Sequence, residues 1–123
     1  MKNKTLRLLL GDQLNSNHSW FATVDDSVTY VMMEVRTETD YAVHHIQKIV
    51  GFFAAMRAFA EMLQSMGHQV IYLKINDSNN LQSFEANLEK MLKTSDYTKF
   101  EYQLPDEYRV DVMLRNFTSG LSI

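Results

Sequence analysis

The sequence predicts an α/β domain of the doubly wound, Rossmann-like type, a mainly parallel sheet with helices on both faces. Three observations point to it. Short apolar runs recur at Leu6 to Leu10, Val28 to Val35, Val70 to Ile75 and Lys99 to Leu104. The segments between them have helical spacing, and strands alternating with helices build right-handed βαβ units with parallel strands. At 123 residues, with 46% apolar and 22% charged side chains, the chain can bury one core and is too short for a second. Residues 1–123 are therefore expected to be a single α/β domain.

The first run is closed by Gly11 and Asp12 and reads as a buried strand. A short helical turn is expected around Trp20. The second run, VTYVMMEV, is rich in β-branched and aromatic residues and reads as a second buried strand. His44 to Met66 holds no Pro and only Gly51 as a breaker, and it stops at Gly67, where a helix C-cap belongs. On a wheel of about 100° per residue, the second half of this helix puts Arg57, Glu61, Gln64 and Ser65 on an outer face. Ala55, Phe59, Met62, Leu63 and Met66 form the inward one. In the first half Ile46, Ile49, Val50, Phe52, Phe53 and Ala54 surround nearly the whole circumference, which implies a second covering surface, either a homodimer partner or a missing domain. Leu81, Phe84, Leu88, Met91 and Leu92 share one face of a third helix. A fourth helix starts at Pro105, with Asp106 and Glu107 at its positive end. Thr118 to Ile123 resembles the entry to a fifth strand, so the sequence reads as a fragment of a longer chain.

Charge and composition remove several functions. A net charge of −3 and a pI near 5.7 argue against direct nucleic-acid binding by this segment, which needs a basic footprint. With no Cys, there is no thiolate nucleophile, no cysteine-ligated metal and no iron-sulfur cluster here. No apolar run reaches the roughly 20 residues of a membrane span, and the N-terminus lacks a secretory pattern. No membrane contact and a cytoplasmic location are expected. Histidines 18 and 68 are expected at the surface.

In open α/β sheets, ligands bind beyond the carboxyl ends of the strands. There the sequence places Gly11, Asp12, Gln13 and Leu14 after the first strand, and Glu34, Arg36 and residues 37–43 after the second. Neither stretch is a glycine-rich phosphate loop. Lys48 aligns with Ala55, Phe59 and Met66, and His44 and His45 flank the same sector, so three polar side chains are expected to point inward at the ligand end. Each has a plainer role open to it. Asp12 could cap a turn, Glu34 could pair with Arg36 or Lys48, and Lys48 could snorkel to solvent. The adjacent histidines diverge by about 100° and make a poor metal face. A non-chromophore nucleotide-binding or interaction module, universal-stress-like or flavodoxin-like, is the alternative, and the missing phosphate loop weighs against it.

LLLGDQLN (Leu8 to Asn15), EVRTETDYAVHHIQKI (Glu34 to Ile49), MRAFAEML (Met56 to Leu63) and LPDEYRVDV (Leu104 to Val112) together resemble the N-terminal domain of the deoxyribodipyrimidine photolyase-related family. That family is the iron-sulfur bacterial branch of cryptochromes and photolyases. The resemblance implies an antenna domain for 6,7-dimethyl-8-ribityllumazine, with Asp12, Glu38, Tyr41, His44 and Lys48 around the chromophore and Glu34, His45 and Phe52 beside it. It also implies a C-terminal helical domain, absent from this sequence, that carries FAD and a four-iron cluster and through which the full-length protein meets DNA. Light-driven repair of six-four photoproducts or blue-light sensing is then the function of the longer protein. The fragment alone is expected to be non-catalytic. Phe52 stands where a smaller aliphatic residue is common in the family, and its ring narrows the expected site.

Overall fold

In the computed structural model the described residues are 4–11, 13–35, 46–105 and 108–121, and the side chains of residues 46–50 lie outside that description. The elements run β1 (Thr5–Leu8), a 3-10 turn (Ser19–Phe21), β2 (Val28–Met33), α1 (Ile46–Ser65), β3 (Gln69–Leu73), α2 (Phe84–Thr94), β4 (Lys99–Tyr102) and α3 (Tyr108–Ser119). The sheet order is β3-β2-β1-β4 and every pair is parallel. Thr5 sits opposite Val28 and Lys99, and Val31 opposite both Leu8 and Ile71. This is the α/β sheet the alternating pattern predicts.

Strand alternation sends side chains to two cores. Leu6, Leu8, Leu10, Val31 and Met33 pack with Phe84 and Leu88 of α2 and Val110 and Leu114 of α3. Leu9, Val28, Tyr30 and Met32 pack with Phe21 and with Phe53, Met56, Phe59, Ala60 and Leu63 of α1. All six β2 residues are buried, as a strand covered on both faces requires. Helix α1 ends in a Schellman arrangement. Gly67 adopts φ +100°, its N–H bonds Gln64 O at 3.0 Å, and His68 N bonds Leu63 O at 3.1 Å.

Several expectations change. The inward row of α1 is Phe53, Met56, Phe59, Ala60 and Leu63, while Ala55 and Met66 are exposed. The alignment of Lys48 with Ala55, Phe59 and Met66 therefore no longer selects a buried row. Leu81 precedes the Ser83 cap of α2 and is exposed, because the helix begins at Phe84. His68 is buried rather than superficial, edge-on to Phe21 and Tyr30 at ring distances of 5.8 and 5.5 Å. Described α3 begins at Tyr108, and residues 106–107, on which the Pro105 start depends, lie outside the described set, as do residues 122–123 of the expected fifth strand. On the outer side of α1, Gly51, Phe52, Ala54, Ala55 and Ala58 are exposed, while the side chains of residues 46–50, on which the expected lack of a polar stripe also depends, lie outside the described set.

Candidate functional site

The chain winds from β1 through β2 to β3 in one direction and then places β4 on the other side of β1. In open α/β sheets such a reversal leaves the crevice in which ligands usually sit, here beyond the carboxyl ends of β1 and β4. Gln13 holds its two sides together. Its Oε1 accepts from Leu10 N at 3.2 Å, and its Nε2 donates to Gln103 O at 3.2 Å and more weakly to Leu104 O at 3.5 Å. Nearby, the buried Gln103 Nε2 has no hydrogen-bond partner among the described residues. A buried donor without an acceptor is costly and marks a place where a ligand oxygen would be stabilised.

Gly11 lies in this turn with the Phe52 ring directly against it. A Cβ at Gly11 would stand 2.3 Å from Phe52 Cζ and 2.9 Å from Met56 Sδ. The glycine thus lets an aromatic ring from α1 close onto the end of β1. Phe52 remains 41% exposed, so the aromatic side chain stays accessible beside the end of β1.

At the end of β2, Glu34 is completely buried. Its Oε2 accepts from Arg57 Nε at 2.6 Å and from the Tyr72 hydroxyl, and its Oε1 accepts from Arg57 Nη2 at 2.8 Å and Ile75 N at 3.0 Å. Its main chain is held as well, with Glu34 N on Leu73 O and Asn80 Nδ2 on Glu34 O. Burial by itself raises the carboxyl pKa. The hydrogen bonds from Arg57, Tyr72 and Ile75 and the Arg57 charge outweigh it, so Glu34 stays below the usual carboxylate range. Tyr72 is pushed up, first by burial and then by the carboxylate it serves.

Of the residues expected around a ligand, Glu34 and Phe52 are the two whose side chains are described. Asp12, Glu38, Tyr41, His44 and His45 lie outside the described residues, and so does the side chain of Lys48, whose backbone belongs to the first turn of α1. Glu34 pairs with Arg57, a residue of the face of α1 expected to point outward; Arg36 and the side chain of Lys48, the partners expected for it, lie outside the described residues. Gln13, Arg57, Tyr72 and Gln103 were not singled out as site candidates by the sequence pattern. Gln13 and Arg57 fall within motif stretches quoted above and Gln103 directly precedes another, whereas nothing local marks Tyr72. Among the described residues no group of three His, Asp or Glu side chains could hold a metal ion, and no helix is long and apolar enough to cross a membrane. A second concavity of about 290 Å³ lies between β3 and α2, floored by Ile71, Leu73 and Met91 and edged by Lys90 and Tyr97. Among the described residues none of its lining side chains carries an orphaned buried donor, whereas Gln103 does, so the crevice is the stronger candidate.

Residues 7–123 match the family model described as deoxyribodipyrimidine photo-lyase-related protein. The chain is also 34% identical over 119 residues to a (6-4) photolyase of Agrobacterium fabrum (strain C58 / ATCC 33970), a match covering 96% of this chain and 24% of the relative. It thus spans about a quarter of that protein's length. A family match over nearly the whole chain, on the sheet order and switch-point crevice described above, shows that this chain belongs to the deoxyribodipyrimidine photolyase-related family.

Proposed function

We propose that this chain is a light-harvesting domain that binds 6,7-dimethyl-8-ribityllumazine in the crevice beyond β1 and β4. The observation that carries the reading is the pairing, at one switch point, of an exposed aromatic side chain on Gly11 with a buried Gln103 amide donor that has no partner among the described residues. A flat heteroaromatic ring with carbonyl oxygens and a polyhydroxyl chain needs that combination, an apolar surface to lie on and a few placed polar groups. When bound, the lumazine absorbs near-ultraviolet and blue light and supplies its excitation to an acceptor. The protein's part is to bind and orient it. Phe52 offers the ring face, Gln103 Nε2 donates to an oxygen, and Gln13 keeps the two walls together. The family resemblance adds Asp12, Glu38, Tyr41, His44, His45 and Lys48 as further contacts.

This chain is proposed to act together with a helical domain that carries FAD and a four-iron cluster, the harvested light then serving DNA photoproduct repair or blue-light sensing. The acidic balance of this chain agrees with DNA being gripped elsewhere. Titrating the chain with lumazine and following its fluorescence tests the proposal. Saturable binding is expected, weakened in Phe52→Ala by about 1 kcal/mol, the worth of one aromatic contact, or roughly fivefold. Lumazine emission unchanged at every protein concentration would overturn it.

A further inference from the structure

A carboxylate has about four acceptor positions, and at Glu34 all four are used, two on Oε1 and two on Oε2. The group is fully buried and has no capacity left for a ligand. What it does instead is join parts of the chain that meet at the carboxyl end of the sheet. Arg57 belongs to α1, Tyr72 to β3, Ile75 to the segment after β3, and Glu34 itself directly follows β2. Arg57 stands five residues beyond Phe52 on the same helix. An ion pair at Arg57 therefore sets how the first half of α1 approaches the sheet, and with it the seat of the Phe52 ring on Gly11. Its bidentate geometry fixes orientation as well as distance, which a single ammonium contact does not.

We infer that Glu34 is a positioning residue rather than a ligand contact, acting with Arg57 and Tyr72 to lock α1 onto the ends of β2 and β3 in the arrangement that holds Phe52 over the ligand crevice. This rests on the lumazine reading above. The three residues act as one unit, so loss of any member should loosen the same contact.

The test measures lumazine affinity of the chain and of Arg57→Lys, Tyr72→Phe, Phe52→Ala and the Arg57→Lys/Phe52→Ala double variant. Each is read at a temperature where circular dichroism shows it folded. Arg57→Lys keeps the charge and loses the fork, and should weaken binding by up to roughly fivefold, the loss expected for Phe52→Ala, with Tyr72→Phe smaller in the same direction. Tyr72→Phe removes one hydroxyl and keeps the test open where Arg57→Lys unfolds. Because the unit acts through Phe52, the double variant should bind no worse than the weaker single variant. A purely structural role would change affinity only in proportion to the unfolded fraction, and that result overturns the inference. So does a parent that binds while Arg57→Lys and Tyr72→Phe match it, or losses that add in the double variant. A parent that binds no lumazine overturns the chromophore reading itself, and this inference with it.

Discussion

Four hydrogen bonds converge on the Glu34 carboxylate from residues 23, 38 and 41 positions away, the first of them contributing two. Such a charge is stable in the interior only because every lone pair is met; removing one partner of a buried pair costs about 3 to 5 kcal/mol. Arg57 is 43% exposed, which argues for the lower end. The pH dependence follows from the depressed pKa. Glu34 is ionised in both states above its unfolded value of about 4.3, and there its contribution is fully present. As pH falls through the lower folded value the carboxyl protonates in the native state and the contribution is lost. The thermal midpoint should therefore hold steady down to about pH 5 and drop below it. Glu34→Gln should be less stable at neutral pH and lose less on acidification. Parallel melting curves for parent and variant from pH 7 to 3 would show that Glu34 is not the acid-sensitive group. None of this pairing was legible in sequence, since a carboxylate's partner across 23 residues depends on how α1 lies on β2. Glu34 stood out by its place after a strand, and its role came only from the fold.

The strands were the most legible elements, because a short apolar run between polar turns has few other ways to be buried. Each begins within one residue of the corresponding run and stops short of its end. Helix α1 shows the limit. Its span was clear from the lack of breakers and from Gly67, and Phe59 and Leu63 of its expected buried row are buried, but Ala55 and Met66 of that row are exposed. Where Ala and Met occupy both sides, the apolar pattern does not choose between neighbouring rows, and shape decides. Phe53, Met56, Phe59 and Leu63 fill the space over Tyr30 and Met32, while Ala55 and Met66 are left outside. Helix α2 illustrates the opposite case, where local chemistry sets the boundary. Ser83 Oγ accepts from Ala86 N at 3.1 Å, Glu85 lies in the first turn and Lys93 in the last. Reading the helix from Leu81 overlooked that cap. Ser83→Ala should cost about 1 kcal/mol, measurable by urea unfolding with an unchanged slope. An effect below about 0.3 kcal/mol, under the usual range for caps, would mean that packing of Phe84 and Leu88 alone holds the helix start.

For the molecule as a whole, topology carries more of the functional argument than any motif. The order β3-β2-β1-β4 creates one place where adjacent strands lead to opposite sides, and the sequence pattern anticipated that end of the sheet. It could not supply Gln103, which matters only because β4 pairs with β1 and brings the Gln103 main chain onto Gln13. The central claim is that lumazine sits at that switch point. The most direct measurement is a nitrogen-15 NMR titration of the chain with 6,7-dimethyl-8-ribityllumazine, following backbone amides and the Gln103 side-chain amide. The largest shifts are expected at Gly11, Gln13, Phe52 and Gln103, with Ser27, His68 and Gln69 at the opposite end of the sheet unmoved. Shifts centred on Ile71, Lys90 and Tyr97, in the groove between β3 and α2, or no saturable shifts at all, would contradict it.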